Sequence, residues 1–168
     1  RKYKNIIESG NKKQSPLTWS VVESIPVHED IKLGRDGCQA SIDNWITSME
    51  NLAACGIKTI CYNFMPVIDW TRTGLAYKLK TGAYALRFDQ TKFAAFDLFI
   101  LQRPHSVADY TEADIREARE AYQQMSSDEC AQLTDNIISG LPGKMTGSYS
   151  LDDFKNALAQ YRHIGHAE

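Results

Sequence analysis

Polar and aromatic side chains that could bind a ligand follow one apolar stretch of the sequence. Residues 57–65 form a nearly continuous apolar run bounded by Gly56 and Pro66. Such a run predicts a parallel strand that is covered on both faces. The side chains that could do chemistry cluster at its end and just beyond it: Asn63, Asp69, Trp70, Thr71, Arg72 and Thr73. Because α/β folds bind ligands beyond the carboxyl ends of their strands, this stretch is a candidate binding site.

Within this stretch, Arg72 and Trp70 suggest a site for a sugar acid. The guanidinium of an arginine is a planar fork of donors that suits a carboxylate, and the flat indole of Trp70 could pack against a sugar. A second interpretation fits the residue types equally well: Asp69 and Arg72 could form an ion pair that stabilises a turn, with Trp70 packed in the core. The residue types alone leave both interpretations open.

Three further residues are candidates for contact with sugar hydroxyls. Tyr62 and Asn63 can both donate and accept hydrogen bonds. His28 begins the run His28-Glu29-Asp30, which comes shortly after a second predicted strand. Its alternative role is structural, either as a packed histidine or as the cap of a loop.

No other histidine or aromatic cluster predicts a metal or cofactor site. A metal ion needs three or four converging ligands, and Gly165 interrupts the pair formed by His163 and His166 close to the end of the sequence. We expect that pair to be solvated and His105, which follows a proline, to lie on the surface. The aromatic residues Phe93, Phe96 and Phe99 are spaced for packing along a helix.

The first half of the chain has the order helix, strand, helix, strand, which predicts an α/β fold. A helix is expected before Gly10, and a strand at residues 17–24 precedes a loop at 27–40. The next helix is expected to start from Ser41 as its N-cap and to continue to Ala53, since its apolar residues recur at helical spacing. Gly56 then separates that helix from the strand at 57–65.

The second half predicts a hairpin followed by helices. Residues 77–88 alternate in polarity around the turn at Lys80-Thr81-Gly82, as hairpin strands do. Asp89 is expected to cap a helix over residues 90–102. Three later helices have capping-box starts, which are Thr111 with Asp114, Ser126 with Glu129, and Ser150 with Asp153.

Composition narrows the class of protein. The 168 residues carry a formal net charge of −2, which gives no electrostatic reason to expect a nucleic-acid or membrane partner. The four cysteines, at positions 38, 55, 61 and 130, form no Cys-x-x-Cys pair. They predict reduced, buried thiols and therefore a cytoplasmic protein.

Three segments of the sequence resemble mannonate dehydratase: CYNFMPVIDWTRT, WSVVESIPVHEDIK upstream of it, and ALRFD downstream. The resemblance runs through nearly the whole chain and implies part of a xylose-isomerase-like TIM (β/α)8 barrel, with a hairpin and helical insertion after the second parallel strand present. The chain resembles an early-to-middle portion of that longer family. It is interpreted as one partial domain, 1–168, with a βαβ portion at 1–73, an insertion at 74–110 and a helical segment at 111–168.

The resemblance also implies a function. Members of the family are metal-dependent lyases that dehydrate D-mannonate to 2-keto-3-deoxy-D-gluconate in hexuronate (glucuronate) breakdown. It implies a homo-oligomer and a Mn²⁺ or Fe²⁺ ion whose ligands lie outside this segment. On this interpretation the substrate-binding residues are Arg72, Asn63, Tyr62, His28 and Trp70, and the catalytic residues are not identified. The alternatives are an inert portion of such a barrel, or a related sugar isomerase or epimerase.

Overall fold

The structure, a computed structural model, describes residues 1–9, 17–68, 70–138 and 150–164. The chain divides into two compact units, Arg1–Pro66 and Val67–Glu168. Both contain helices and strands, so the mixed α/β class predicted from the order of elements is confirmed.

The first unit contains one parallel pair of strands with helices before and between them. Strand β1 (Val21–Glu23) pairs with β2 (Thr59–Cys61) in the register Val21↔Thr59, Val22↔Ile60 and Glu23↔Cys61. The crossover between them contains the helices α2 (Glu29–Lys32) and α3 (Gln39–Ala53). The elements in chain order are α1 (Lys2–Ser9), β1 (Val21–Glu23), α2 (Glu29–Lys32), α3 (Gln39–Ala53) and β2 (Thr59–Cys61).

The two strands are shorter and more exposed than the sequence predicts. The expected strand at 57–65 is reduced to three residues, and Cys61 and Phe64 are exposed, which makes the prediction of a buried strand wrong. Within the described part of this unit only Ile57 is buried. The physical reason is that β1 and β2 pair only with each other among the described residues, so neither strand has the second neighbour and the covering layers that bury a parallel sheet.

The cysteines are also less buried than expected. All four thiols are free, but Cys61 is exposed and the other three are only half-buried. The expectation of buried thiols is therefore wrong. Cys61 is exposed because it is the last residue of the exposed strand β2.

The loop predicted at residues 27–40 contains a helix. Residues Glu29–Lys32 form the single turn α2, whose N-cap is His28. Helix α3 begins at Gln39, with Cys38 at the N-cap position and no side-chain cap hydrogen bond, so the prediction of Ser41 as the N-cap is wrong. Ser41 lies within the first turn because α3 starts three residues earlier than the start at Ile42 that a Ser41 cap implies.

The second unit contains an antiparallel hairpin and four α-helices in its described part. The predicted hairpin is confirmed, with Tyr77 opposite Ala85 and Lys78 opposite Tyr84. The elements are β3 (Gly74–Lys78), β4 (Tyr84–Arg87), α4 (Gln90–Ala95), α5 (Glu112–Gln124), α6 (Ser127–Ile138) and α7 (Leu151–Ala159).

The main core of the chain lies in this second unit, between α4 and the last two helices. Phe96 and Ile137 are each 1% exposed. Burial of such side chains contributes roughly 1.5–3 kcal/mol each. The cluster consists of Val67, Phe96, Leu101, Leu133, Ile137, Ile138 and Phe154. Phe96 belongs to it, Phe93 packs against it and Phe99 stacks on Tyr122, which confirms helix packing for this aromatic set.

All three predicted capping boxes are present. The Thr111 hydroxyl and backbone N–H donate to Asp114, and Ser150 makes the same contacts with Asp153. These hydrogen bonds stabilise the ionised carboxylates and lower the pKa of both aspartates. Asp89 caps α4 as predicted, because its Oδ1 accepts from the backbone N–H of Lys92 at 3.2 Å.

The helix predicted over residues 90–102 changes its winding halfway along. After Ala95 it becomes a π-helical turn, Phe96–Leu101, and it ends at Gln102 in the left-handed conformation with φ 55°. Asp97 in this turn is 3% exposed, and its carboxylate accepts from Arg103 Nε at 2.9 Å, Arg103 Nη2 at 2.8 Å and Tyr110 Oη at 2.9 Å. Arg103 also pairs with Asp109 at 2.7 Å. The carboxylate thus ties the π-helical turn to the segment that leads into α5.

Tyr110 is expected to make the stability of this unit depend on alkaline pH. Burial, together with the adjacent Asp97 carboxylate, raises the pKa of Tyr110 above its ordinary value. The folded state therefore holds the phenol proton more tightly than the unfolded state. This stabilisation is fully present below pH about 10 and is lost as the pH rises through the folded pKa.

The measurement is the free energy of urea unfolding between pH about 9 and about 11, for the wild type and Tyr110→Phe. The wild type is expected to lose more stability over this range than the variant. Tyr84→Phe is the control, because Tyr84 is 67% exposed and its variant is expected to follow the wild type. Parallel pH profiles for wild type and Tyr110→Phe would contradict the assignment.

Candidate functional site

The carboxyl ends of β1 and β2 lie side by side, as the sequence interpretation requires. Glu23, the last residue of β1, is paired with Cys61, the last residue of β2. Residues that follow either strand therefore begin at the same edge of the pair, and Tyr62 and Asn63 directly follow β2.

Tyr62 and Asn63 present groups that are not taken up by the described fold. Tyr62 is 56% exposed, and its ring meets Trp45 of α3 edge to face at a centroid distance of 5.7 Å. Asn63 is half-buried and makes no hydrogen bond with any residue that the structure describes. The Trp45 indole Nε1 is buried and likewise lacks a described partner. Tyr62 therefore packs against Trp45 while more than half of its surface stays accessible.

His28 serves as the cap of α2. Its Nδ1 accepts from the backbone N–H of Asp30 at 3.2 Å and lies 3.3 Å from Asp30 Oδ2. The side chain is 61% exposed. These contacts match the structural role that the sequence left open, in which His28 caps a loop. The hydrogen bond occupies Nδ1 and leaves Nε2 without a described partner.

Trp70 and Arg72 lie in the second unit, next to each other along its first loop. Trp70 is 52% exposed, so it is not the core plug that the alternative interpretation required. Arg72 is half-buried and donates from Nη1 to the backbone oxygen of Trp70 at 2.7 Å. This bond ties the guanidinium to the Trp70 backbone and uses one of its five N–H groups. Asp69, the other member of the proposed ion pair, lies outside the described residues.

Thr73 anchors the end of this loop, a role that the sequence interpretation missed. Its side chain is buried, accepts from the backbone N–H of Asp89 at 2.9 Å and donates to the backbone oxygen of Arg87 at 3.2 Å. Its own carbonyl oxygen accepts from Asn136 Nδ2 of α6 at 3.2 Å. Only the tertiary structure brings these partners together, so no local signal in the sequence could have found them.

The five predicted binding residues are therefore divided between the units. His28, Tyr62 and Asn63 belong to the first, and Trp70 and Arg72 to the second, where a hydrogen bond joins them. The described residues contain no group of three histidine, cysteine, aspartate or glutamate side chains that could hold a metal ion. No described helix is both long enough and apolar enough to cross a membrane.

Comparison with known proteins gives the family. The model of the D-mannonate dehydratase (UxuA) family matches residues 1–168. Mannonate dehydratase of Chromohalobacter salexigens is 54% identical over 151 residues, covering 89% of this chain and 38% of that protein. Mannonate dehydratase of Brucella canis is 52% identical over 161 residues, covering 96% of this chain and 40% of that protein.

Among solved structures, mannonate dehydratase from Streptococcus suis serotype 2 is 34% identical and is matched over 82% of this chain and 35% of its own, with a TM-score of 0.49. The chain spans about two fifths of the length of the curated relatives named above. The family model, in contrast, covers every residue of the chain. The chain belongs to the D-mannonate dehydratase family.

Proposed function

We propose that the protein containing this chain is a hydro-lyase that dehydrates D-mannonate to 2-keto-3-deoxy-D-gluconate in the cytoplasmic breakdown of glucuronate. The observation that carries the proposal is the match of the family model to all 168 residues, together with more than half identity to two proteins named mannonate dehydratase. The reaction removes the proton at C2 and expels the C3 hydroxyl as water.

Arg72 and Trp70 are the substrate contacts that the local geometry supports best. One guanidinium N–H is used to fix Arg72 beside Trp70, and among the described residues no other group accepts from this guanidinium, so its remaining donors can bind a carboxylate. Loss of the C2 proton increases negative charge next to that carboxylate, so a fixed positive charge favours the step. The exposed indole of Trp70 supplies a flat apolar face for the carbon chain.

Tyr62, Asn63 and His28 are proposed as contacts for substrate hydroxyls. The exposed ring of Tyr62 supports this assignment, as do the Asn63 amide and the His28 Nε2, neither of which has a hydrogen-bond partner among the described residues.

The described residues do not fit a divalent metal site. His28 lies 3.3 Å from one carboxylate, that of Asp30, but no described cluster reaches three ligands. We therefore propose that the Mn²⁺ or Fe²⁺ ion of the whole protein is bound outside the described residues.

Two structural features support a place for this chain in a TIM barrel. Strands β1 and β2 are parallel, and among the described residues their outer edges have no partner, as expected for two neighbouring strands of a larger closed sheet.

The hairpin then forms part of an insertion after the second strand. Its exposed apolar side chains, which include Tyr84 and Leu86, support a role for residues 74–110 as a cap or a subunit contact in a homo-oligomer. Light scattering on the whole protein tests the oligomer.

The proposed reaction is tested by product analysis with the protein as isolated from its source, after its intact mass has been measured. With D-mannonate and Mn²⁺, the expected product is a 2-keto-3-deoxy acid, one water lighter than the substrate. A product of unchanged mass would indicate an isomerase or epimerase and contradict the proposal. The 168-residue chain, assayed in parallel, is expected to give no turnover, because its described residues offer no metal site.

A further inference from the structure

A groove in the second unit is not used by the proposed reaction. It consists of two adjoining cavities of about 370 and 450 Å³, formed by β3, α4, α5 and α6. Four residues line both cavities, namely Thr73, Lys92, Gln132 and Asn136. Each volume lies within the range of small-molecule sites, which is roughly 300–1,000 Å³.

The positive charge in the middle of this groove is not neutralised by a direct contact. Lys92 is exposed, and its ammonium makes no hydrogen bond or ion pair with any residue that the structure describes. The two carboxylates of the groove accept hydrogen bonds from other residues, although Glu129 also interacts electrostatically with Lys92. Glu129 accepts from the backbone N–H of Ser126 at 2.8 Å, and Asp89 accepts from Arg87 Nη2 at 2.8 Å. The ammonium therefore remains available to an anionic group.

Amide groups are arranged in a fixed chain beside Lys92. Asn136 donates from Nδ2 to the backbone oxygen of Thr73 at 3.2 Å and accepts from Gln132 Nε2 at 3.0 Å. Each of these amide nitrogens carries a second N–H, and Gln132 keeps its carbonyl oxygen. Gln124 adds another amide on the α5 side of the groove. These groups can both donate to and accept from hydroxyls.

We infer that this groove is a second binding site, for a small hydroxycarboxylate. The Lys92 ammonium binds the carboxylate, and the amides of Gln132 and Asn136 bind the hydroxyls. The ligand is thus bound through a charge-assisted hydrogen bond from the ammonium and neutral hydrogen bonds from the amides. The site is separate from the Arg72 side chain, although Thr73 in its floor directly follows Arg72 in the chain.

Calorimetric titration of the 168-residue chain tests this inference without any turnover. D-Gluconate is the probe, and D-glucitol, which has the hydroxyls without the carboxylate, is the matched control ligand. Lys92→Met is expected to weaken gluconate binding about tenfold, the usual size of a lost hydrogen bond to a charged group. Lys155→Met removes the same charge from exposed α7 and is expected to bind as the wild type does.

Gln132→Leu provides a second variant, because its side chain is exposed and its replacement leaves the core unchanged. It is expected to weaken gluconate binding while Lys92 is still present. The inference is overturned if the wild type does not bind gluconate, if glucitol binds equally well, or if Arg72→Ala abolishes binding that Lys92→Met leaves intact. The last outcome would place the ligand at the Arg72 loop.

Discussion

Replacing Asp97 by alanine is expected to lower the free energy of unfolding of the second unit by about 2–4 kcal/mol, the upper part of the range for single substitutions. The carboxylate is 3% exposed and accepts hydrogen bonds from both Arg103 and Tyr110. Its removal leaves a phenol and part of a guanidinium without their partner in a half-buried position. Urea unfolding followed by circular dichroism measures the change.

Asp109→Ala is the matched control for this substitution. Asp109 binds the same Arg103 Nη2 at 2.7 Å, but its side chain is 61% exposed, so the pair is largely screened by water. Its loss is expected to cost at most about 1 kcal/mol. Equal losses for the two variants would show that the charge of Arg103, and not the burial of Asp97, determines stability here.

Replacing Arg72 by alanine is expected to reduce kcat/KM of the whole protein for D-mannonate about a hundredfold, equivalent to the loss of a charge-assisted bidentate contact. Arg72→Lys keeps the charge but not the planar fork, and is expected to recover only part of that loss. Steady-state kinetics on the two variants measure the effect.

The control is Arg116→Ala, an exposed arginine on α5 that is expected to leave kcat/KM unchanged. The alternative role of Arg72 is to brace the loop through its bond to the Trp70 carbonyl. If both Arg72 variants keep full kcat/KM and lose only thermal stability, the brace is its whole function and the carboxylate contact is wrong.

Elements specified by nearby residues could be predicted from the sequence. Each capping box needs only two side chains three residues apart, and Thr111 with Asp114 and Ser150 with Asp153 form as expected. The hairpin likewise depends on alternation around one short turn. Because these interactions are local, no knowledge of distant contacts was required.

Features that depend on distant contacts could not be predicted. Cys61 is exposed because β2 pairs only with β1 among the described residues. The apolar run does not show which elements lie beside the strand. Helix α2 depends on a single His28 cap within a polar stretch that carries no helical apolar pattern. The π-helical winding after Ala95 accompanies the burial of Asp97 against Arg103 and Tyr110, which lie 6 and 13 residues further along.

The candidate site shows the same division. The proximity of Trp70 and Arg72 was predictable because they are two residues apart in the chain, whereas the acceptor that Arg72 uses, the Trp70 carbonyl, was not. Thr73 was recognised only as a polar residue, although it contacts the hairpin and α6 at once. Residue types indicated the chemistry of the site. The contacts that hold its residues in place come from segments distant in the sequence.

The π-helical turn constrains the number of residues in this segment as well as their identity. A residue in a regular helix advances the chain by about 100° around the axis, and a π turn accommodates one residue more than an α turn. Loss of one residue between Phe96 and Leu101 would convert the turn to ordinary winding and rotate everything on one side of it relative to the other. Asp97 could then no longer reach Arg103 and Tyr110 while Leu101 keeps its place in the core. Insertions and deletions are therefore restricted here, even where substitutions are tolerated.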